Sequence, residues 1–194
     1  MINEHQEFEK NWWGDVSNSF AEETKQLTYA YKMGLSVYSN NGKWPCYNLE
    51  NKNILDIGGG PVSILLKCEN RGRTMVLDPC HYPSWVYNRY TTCGIEYAQI
   101  RGEDLPLTNR WDEAWLYNVL QHVEDPELII AKARQVAPLI RLFEWIDLPP
   151  HLGHPQELKE DKLNKWLDGQ GTVEELDENH CYGRAYYGVF PTGG

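Results

Sequence analysis

The chain of 194 residues is long enough to bury the core of one ordinary domain, and its 41% hydrophobic and 24% charged residues are typical of a globular protein. Its formal net charge of −10 provides no basic surface for a phosphate backbone, which argues against a nucleic-acid substrate. No apolar run approaches the ~20 residues of a membrane-spanning helix, and the polar, acidic N-terminus differs from a secretion signal. We therefore expect a cytoplasmic protein whose five cysteines are free thiols.

The first 50 residues predict a helical extension in front of the main domain. Ser19 and Glu22 have the three-residue spacing of a capping box. Apolar residues then recur at helical spacing and predict a helix over 20–36; they are Leu27, Ala30, Tyr31 and Leu35. Turn-forming residues at 39–42 end this pattern, and 43–51 is predicted to be a loop.

From residue 52 onward, short apolar runs alternate with longer helical segments, which favours β-α-β units around a mostly parallel sheet. Strands are predicted at 53–57, 74–78, 96–100, 113–117 and 140–145. Helices are predicted between them, at 62–68, 84–92 and 126–136. The remaining segment predicts a polar helix over 155–167 and two further strands near 172–176 and 182–190.

A glycine-rich turn follows the first of these strands. Asp56 lies near the end of the strand, and Gly58, Gly59 and Gly60 come directly after it. Glycines let the backbone bend sharply and approach a ligand at the carboxyl end of a strand. Asp78, 22 residues after Asp56, ends the next strand, where a carboxylate can accept hydrogen bonds from ribose hydroxyls. The alternative is that the glycines form a plain tight turn and that Asp78 only caps the following helix. Because both strand ends converge on one cleft, however, the two features together predict a nucleotide-like ligand.

The spacing around this turn discriminates between ligands. A dinucleotide fingerprint requires Gly or Ala three residues after Gly60, where this chain has Ser63. An acid just before the glycines would repel a pyrophosphate and suits a cationic amine instead. A nicotinamide-dependent oxidoreductase is therefore the less favoured interpretation.

Four segments in order resemble class I S-adenosylmethionine-dependent methyltransferases. Segment 54–61 resembles motif I, whose acid-glycine loop contacts the methionine part of the cofactor in that family. Segment 76–79 resembles the ribose-binding strand end, 101–107 the segment that packs on adenine, and 115–126 the fourth strand with its loop. The chain departs from many members at Val62, where they have glycine, and at Arg101, where they have an Asp that bonds the adenine amino group.

The resemblance implies a fold, a cofactor and a set of binding residues. The fold is an α/β, Rossmann-like three-layer sandwich, with a mostly parallel seven-stranded sheet whose last strand is antiparallel. We expect one methyltransferase domain over 1–194, with an N-terminal helical lid at 1–50 and the core at 51–194. S-adenosylmethionine is the expected cofactor, and its expected contacts are Asp56, Gly58, Gly59, Gly60, Asp78, Pro79, Gly102, Glu103, Asn118 and Val119.

Methyl transfer is an in-line displacement, so the enzyme chiefly aligns the reactants and excludes water. A hydroxyl nucleophile also benefits from a general base, for which His122, His154 and Glu144 are the candidates. A metal held by His151 and His154 would lack a third ligand at suggestive spacing, so no metal is expected. The residues expected to bind the acceptor are Trp12, Trp13 and His151, although the tryptophans could instead anchor the N-terminal helix to the core.

The leading hypothesis is an S-adenosylmethionine-dependent methyltransferase that acts on an oxygen or nitrogen of a small molecule or glycan precursor. The first alternative is a regulatory protein of the same fold that binds S-adenosylmethionine or S-adenosylhomocysteine without catalysis. The sequence leaves the acceptor and the oligomeric state open.

Overall fold

The computed structural model describes residues 4–40 and 45–193. It begins with two helices, α1 (Glu4–Trp13) and α2 (Val16–Lys32). Asp15 caps α2 by accepting a hydrogen bond from the backbone N–H of Ser17 at 2.7 Å. The predicted cap at Ser19 is wrong, because Ser19 lies inside α2 and its hydroxyl donates to the carbonyl of Trp13 at the end of α1, at 2.9 Å.

The buried face of α2 differs from the predicted apolar stripe. Tyr31 is 74% exposed. The face that packs inward is partly polar; its buried members include Ser19, Glu22, Gln26, Tyr29 and Ala30. An apolar pattern failed to identify this face because the helix covers a polar cleft as well as the core.

Ten strands and three further helices follow the N-terminal pair in the described residues. The strands are β1 (Val37–Asn40), β2 (Pro45–Asn48), β3 (Ile54–Ile57), β4 (Cys68–Glu69), β5 (Thr74–Leu77), β6 (Glu96–Ala98), β7 (Glu113–Tyr117), β8 (Leu139–Trp145), β9 (Thr172–Glu178) and β10 (Cys181–Pro191). The helices are α3 (Ser84–Thr92), α4 (Pro126–Val136) and α5 (Glu160–Leu167).

Seven strands form the main sheet, in the order β6-β5-β3-β7-β8-β10-β9. The strands from β6 to β8 are parallel to their neighbours, whereas β10 runs antiparallel to both β8 and β9. This arrangement confirms the predicted α/β fold with an antiparallel last strand. The chain reverses its direction of travel across the sheet between β3 and β7, which is where open α/β sheets bind ligands.

Helices cover both faces of the main sheet and give the protein three layers. Alternate residues of each strand face opposite layers, so Trp115 and Tyr117 pack with the cluster that contains α2 and α3 residues. Ala114 and Leu116 of the same strand pack on the other face, against α4 and α5. The central strand β7 is buried along its whole length.

Three local predictions are wrong. Segment 62–68 forms a short 3₁₀ turn, Ile64–Lys67, rather than an α-helix, because Cys68 then enters β4. Segment 43–51 was expected to be a loop but contains β2, which pairs with β1 and β4 in a small second sheet. The polar helix begins at Glu160 rather than 155. Within the described residues, none of the helices has the length and hydropathy needed to cross a membrane.

Candidate active site

A cleft opens at the carboxyl ends of β3, β5 and β7, the place that the strand order indicates. The residues that resemble the cofactor site of methyltransferases line it, with the exception of Asp56. Those in its wall are Gly58, Gly59, Gly60, Asp78, Pro79, Gly102, Glu103, Asn118 and Val119. The sequence motifs therefore converge in space as expected.

The glycine loop has a backbone that other residues would not adopt without strain. Gly58 has a φ of +75° and Gly60 a φ of +58°, both in the left-handed region. A Cβ atom on Gly58 would overlap the side chain of Val119 on the neighbouring loop. Gly58 also donates its N–H to the carbonyl of Leu77 at 2.7 Å, which ties the loop to the end of β5.

Asp56 lies beneath this loop and not in the wall of the cleft. Its side chain is fully buried and accepts hydrogen bonds from the hydroxyls of Ser63 and Tyr117. A Cβ on Gly59 would lie 2.5 Å from Oδ2 of Asp56, so the carboxyl group supports the loop from directly below. Burial raises the pKa of Asp56 from 3.8 to about 7. Asp56 therefore supports the glycine loop, and its side chain does not line the cleft in which a cofactor contact was expected.

Asp78 faces the cleft and connects two of its walls. Oδ1 accepts the N–H of Cys80 at 2.9 Å, and Oδ2 accepts the N–H of Gly60 at 3.2 Å. Burial raises the pKa of Asp78 to about 6, against the opposing effect of these hydrogen bonds. Each oxygen can accept a second hydrogen bond, so the carboxylate is placed to receive ribose hydroxyls.

The far end of the cleft is shaped by the segment after β6. A Cβ on Gly102 would lie 2.7 Å from Cδ1 of Ile129, so a larger residue would force that side chain of α4 to shift. The carboxylate of Glu103 accepts the N–H groups of Glu124, at 3.0 Å, and Asp125, at 3.2 Å. Arg101 forms ion pairs with Asp104 and Glu124 and does not line the cleft, so a cofactor would not contact its side chain there.

A second cavity of about 440 Å³ continues from the cleft on the side of α1. Four residues line both spaces, namely Trp13, Glu22, Asn118 and His122. The other residues of the second cavity are mainly aromatic or imidazole side chains; they are Phe8, Trp12, Lys25, Gln121, Trp145, Leu148, His151, His154, His180 and Tyr182. The expected acceptor residues Trp12, Trp13 and His151 are therefore brought together here.

Three of these histidines are in contact with one another. The rings of His122 and His154 are perpendicular with centroids 4.5 Å apart, and His151 lies 4.2 Å from His154. Nδ1 of His122 is 2.8 Å from the carbonyl oxygen of Gly153, which can only accept, so this nitrogen carries the proton. In the neutral ring, Nε2 is then the basic atom. Among the described residues, no group of three His, Cys, Asp or Glu side chains is arranged to hold a metal ion.

Glu144 lies outside both cavities, contrary to its expected role as a base. It is fully buried in β8 and accepts hydrogen bonds from the backbone N–H groups of Val119 and Leu120. Burial raises its pKa from 4.5 to about 7. The residue cannot reach an acceptor molecule in the second cavity, and it acts instead on the loop after β7.

Several residues of the site carry no recognisable signal in the sequence. Glu22 and Gln26 come from α2, and Tyr82 lies on the loop before α3; all three line the cleft. Tyr90 donates its hydroxyl to the carbonyl of Gly60 at 2.7 Å. A helical tyrosine or glutamate gives no hint of such a contact, because the partner is more than 20 positions away in the chain.

The charge of the cofactor cleft favours a cation. Glu22, Asp78 and Glu103 lie in its wall, whereas no Lys or Arg is found there among the described residues. A pyrophosphate in this cleft would meet carboxylates without a counter-charge, while a sulfonium and an ammonium group would be attracted. The geometry and the charge together define a methyltransferase-type nucleotide cleft on a class I fold.

Comparison with known proteins agrees with this class. Residues 55–138 match the family model described as a methyltransferase domain. A search of curated proteins found no match. The family match covers the glycine loop, β5 to β7 and α4, and it agrees with the S-adenosylmethionine-dependent methyltransferase class that the cleft indicates.

Solved structures share the fold, two of them over almost the whole chain. The N-methyltransferase NodS from Bradyrhizobium japonicum WM9, in complex with S-adenosylhomocysteine, has a TM-score of 0.68 at 11% identity, covering 99% of this chain and 100% of NodS. Magnesium protoporphyrin IX methyltransferase from Synechocystis PCC 6803, with bound S-adenosylmethionine, has a TM-score of 0.61 at 10% identity, covering 96% and 97%. The 1,6-didemethyltoxoflavin-N1-methyltransferase from Burkholderia thailandensis has a TM-score of 0.53 at 16% identity, covering 72% and 70%.

The residues of the cleft fit S-adenosylmethionine. The glycine loop presents backbone without side chains, and Asp78 offers carboxylate oxygens for the ribose. Leu77, Val123 and Ile129 provide apolar surface in the same wall for a flat base. The acidic lining then suits the positive sulfonium end of the molecule.

Proposed function

We propose that the protein transfers a methyl group from S-adenosylmethionine to an oxygen or nitrogen of a small molecule or a glycan precursor. The observation that carries this proposal is the second cavity, which joins the cofactor cleft through Trp13, Glu22, Asn118 and His122. A space that shares walls with the cofactor cleft is where an acceptor must lie for in-line attack. NodS and the toxoflavin enzyme are N-methyltransferases in their own descriptions, which supports an acceptor of this kind.

In this proposal the chain acts as one domain over 1–194, with the segment 1–50 serving as a lid. The aromatic residues Trp12 and Trp13 of α1 line the second cavity, and Trp13 also lines the cofactor cleft. Trp12 is 50% exposed and stacks on Phe8, with ring centroids 6.4 Å apart. These rings shield the junction from water and offer a surface on which an acceptor can stack.

Different residues of the two cavities bind the cofactor, separate it from the acceptor and accept a proton in this proposal. S-adenosylmethionine supplies a methyl group made electrophilic by its sulfonium sulfur. The glycine loop 58–60 and Asp78 bind and orient the cofactor, while Asn118 and Val119 form the wall between it and the acceptor. His122 faces the acceptor cavity and accepts the proton that the nucleophile loses. His151 and His154 hold His122 in place and contact the acceptor.

The alternative is a regulatory protein of the same fold, whose mark would be cofactor affinity without turnover or a blocked acceptor space. The second cavity is open, and its volume of about 440 Å³ lies within the range of ligand pockets. This observation favours catalysis.

Isothermal titration calorimetry with S-adenosylhomocysteine tests the cofactor assignment. The wild type is expected to bind it, and Asp78→Ala is expected to weaken binding by about 100-fold, since two charge-assisted hydrogen bonds are lost. Asp104→Ala is the matched control, because Asp104 is exposed and pairs with Arg101 outside the cleft. Absence of heat with S-adenosylhomocysteine, or its displacement by NAD, would refute the assignment.

Incubation of metabolite extracts with methyl-labelled S-adenosylmethionine then tests turnover. Mass spectrometry is expected to detect a labelled small molecule that depends on active protein. Cofactor binding without any labelled product would favour the regulatory alternative.

A further inference from the structure

Glu22 lies at the junction of the two cavities and is 6% exposed. It comes from the inward face of α2, opposite the loop that follows β7. The roles considered so far do not use it. A carboxylate buried at this point must serve either the fold or a ligand, because burial of an unpaired charge is costly.

Its contacts leave one carboxylate oxygen available. Oε1 accepts a hydrogen bond from Nδ2 of Asn118 at 3.2 Å. Oε2 is buried and has no hydrogen-bond partner among the described residues, although the ammonium group of Lys25 lies 3.6 Å away. Buried polar atoms in folded proteins nearly always find a partner. Oε2 is thus in an ion pair with Lys25 but accepts no hydrogen bond, and its position beside an open cavity indicates a ligand that donates one.

The groups around Glu22 define its ionisation. Lys25 and Tyr29 face it from its own helix, and Asn118 and His122 face it from the opposite loop. Burial raises the pKa of Glu22, while Lys25, Tyr29, Asn118 and His122 act to lower it. A bound cation would also lower the pKa of Glu22 and so favour its carboxylate form.

Apart from Lys25, which forms an ion pair with Glu22, the lining of the cavity is suited to an organic cation. Trp12, Trp13 and Phe8 line it from α1, and Trp145 and Tyr182 line it from the sheet. Aromatic faces attract an ammonium group, and a carboxylate supplies a charge-assisted hydrogen bond. Carboxylate and aromatic rings in one cavity are thus a recognition site for an amine on an apolar or aromatic body.

We infer that Glu22 binds the amino group of the methyl acceptor, and that the acceptor is an amine rather than an alcohol. This inference rests on the proposed function and narrows its substrate class. Glu22 accepts an N–H of the amine through Oε2 and keeps Asn118 in position through Oε1. An ammonium group passes one proton to the neutral imidazole of His122, which yields a free amine and an imidazolium ion. The nitrogen lone pair is then available for attack.

Calorimetry with matched pairs of probes tests this inference. The pairs are tryptamine and tryptophol, phenethylamine and 2-phenylethanol, and benzylamine and benzyl alcohol, each titrated into protein saturated with S-adenosylhomocysteine. For the wild type, at least one amine is expected to bind about tenfold or more tightly than its alcohol, as a hydrogen bond to a charged group requires. The comparison within a pair removes the contribution of the aromatic body.

Glu22→Gln is expected to abolish the preference for the amine and to leave the affinity for the alcohol within about twofold. Glu23→Gln is the matched control, since Glu23 lies next to Glu22 but pairs with Lys67 and Arg89 away from the acceptor cavity. The control variant is expected to keep the wild-type preference.

Three outcomes are decisive. Wild-type protein that fails to bind S-adenosylhomocysteine would refute the proposed function itself. Wild-type protein that binds it but binds every amine no more tightly than its alcohol would overturn only the assignment of Glu22 and the amine. A folded Glu22→Gln variant that kept the preference for the amine would also overturn the assignment of Glu22. If that variant does not fold, the comparison of amines and alcohols with wild-type protein still decides the question.

Discussion

The carboxylate of Glu144 accepts the backbone N–H of Val119, with N–O distances of 3.0 Å to Oε1 and 3.2 Å to Oε2. The N–H of Leu120 also donates to Oε1, at 3.0 Å. A buried side chain of β8 thus fixes the loop after β7 from behind, while the front of the same loop forms the wall between the two cavities. Asn118 adopts a φ of +53° in this loop, so its conformation depends on such support.

Removal of this support is expected to affect stability and cofactor binding together. Glu144→Ala leaves two buried N–H groups without an acceptor and creates a cavity, so the free energy of unfolding should fall by about 3 kcal/mol. Affinity for S-adenosylhomocysteine should fall by about tenfold, because Val119 moves. Denaturant unfolding and calorimetry measure the two effects.

Glu144→Gln keeps one acceptor oxygen at the same place and serves as the conservative control. It is expected to restore most of the stability and of the cofactor affinity. If the Gln and Ala variants were equally impaired in turnover but bound cofactor normally, Glu144 would act as a base and the positioning role would be wrong.

The contact between the glycine loop and Val119 leads to a second prediction. Gly58→Ala places a methyl group inside the side chain of Val119 and forces a non-glycine residue to a φ of +75°. Strain and overpacking together cost about 2–4 kcal/mol. Binding of S-adenosylhomocysteine is expected to weaken by more than about tenfold, since the loop itself contacts the ligand.

Gly94→Ala is a control that introduces the backbone strain of a positive φ without a steric clash. Gly94 has a similar φ of +68°, but a Cβ there would meet no atom within 4 Å. This variant is expected to lose about 1 kcal/mol of stability and to bind the cofactor normally. Equal losses of cofactor affinity in both variants would show that the contact with Val119 is unimportant.

The sequence was sufficient for the main sheet and for most of the cofactor cleft. β7 and α4 have the predicted bounds, and the strand-end acid Asp78 lies where its position after β5 requires. These features depend on local patterns, namely apolar runs, glycine turns and helix caps. Short strands such as β2 and β4 were missed, because two to four residues carry no period and form only through pairing with a distant segment.

The hydrogen bonds that determine the roles of individual side chains could not be predicted from the sequence. The partner of Asp56 is Tyr117, 61 positions away, and Asn118 meets Glu22 at a separation of 96. From sequence spacing alone, Asp56 would be interpreted as a ligand contact and Glu22 as a residue on the surface of a helix. Their actual roles follow from burial and from long-range hydrogen bonds, which appear only after the sheet has brought the segments together.

Asp56 provides a prediction about pH. Its pKa is raised from 3.8 to about 7 by burial, so the folded protein holds a proton that the unfolded chain releases near pH 4. When the folded state binds more protons, the free energy of unfolding falls as pH rises. The contribution of Asp56 to stability is therefore present below about pH 4 and is lost progressively as pH rises to about 7.

Asp56→Asn removes this titration and resembles the protonated acid in size. The difference in melting temperature between variant and wild type should increase in favour of the variant by about 5–10 °C from pH 4 to pH 7.5. The repulsion between Asp78 and Asp56 is part of what the substitution removes, whereas Glu144 titrates in both proteins, so its effect cancels in the difference. Scanning calorimetry across this range measures it, and a difference that is independent of pH would mean that Asp56 is ionised throughout.

His122 carries the prediction about proton transfer. Its Nδ1 is committed to the carbonyl of Gly153, which leaves Nε2 as the basic atom beside the acceptor cavity. His122→Asn should lower kcat by about 100-fold or more with the acceptor identified by labelling, as loss of a general base does. It should leave the Kd of S-adenosylhomocysteine within about threefold, a limit of less than about 1 kcal/mol.

The shape of the pH profile separates a base from a packing residue. With wild-type protein, kcat/KM should rise with pH as the imidazole loses its proton, and this acidic limb should be absent in the residual activity of His122→Asn. His81→Asn is the control, since His81 is exposed and lines neither cavity. A variant that kept the acidic limb while losing activity would assign the proton transfer to another group and leave His122 with a role in shaping the cavity.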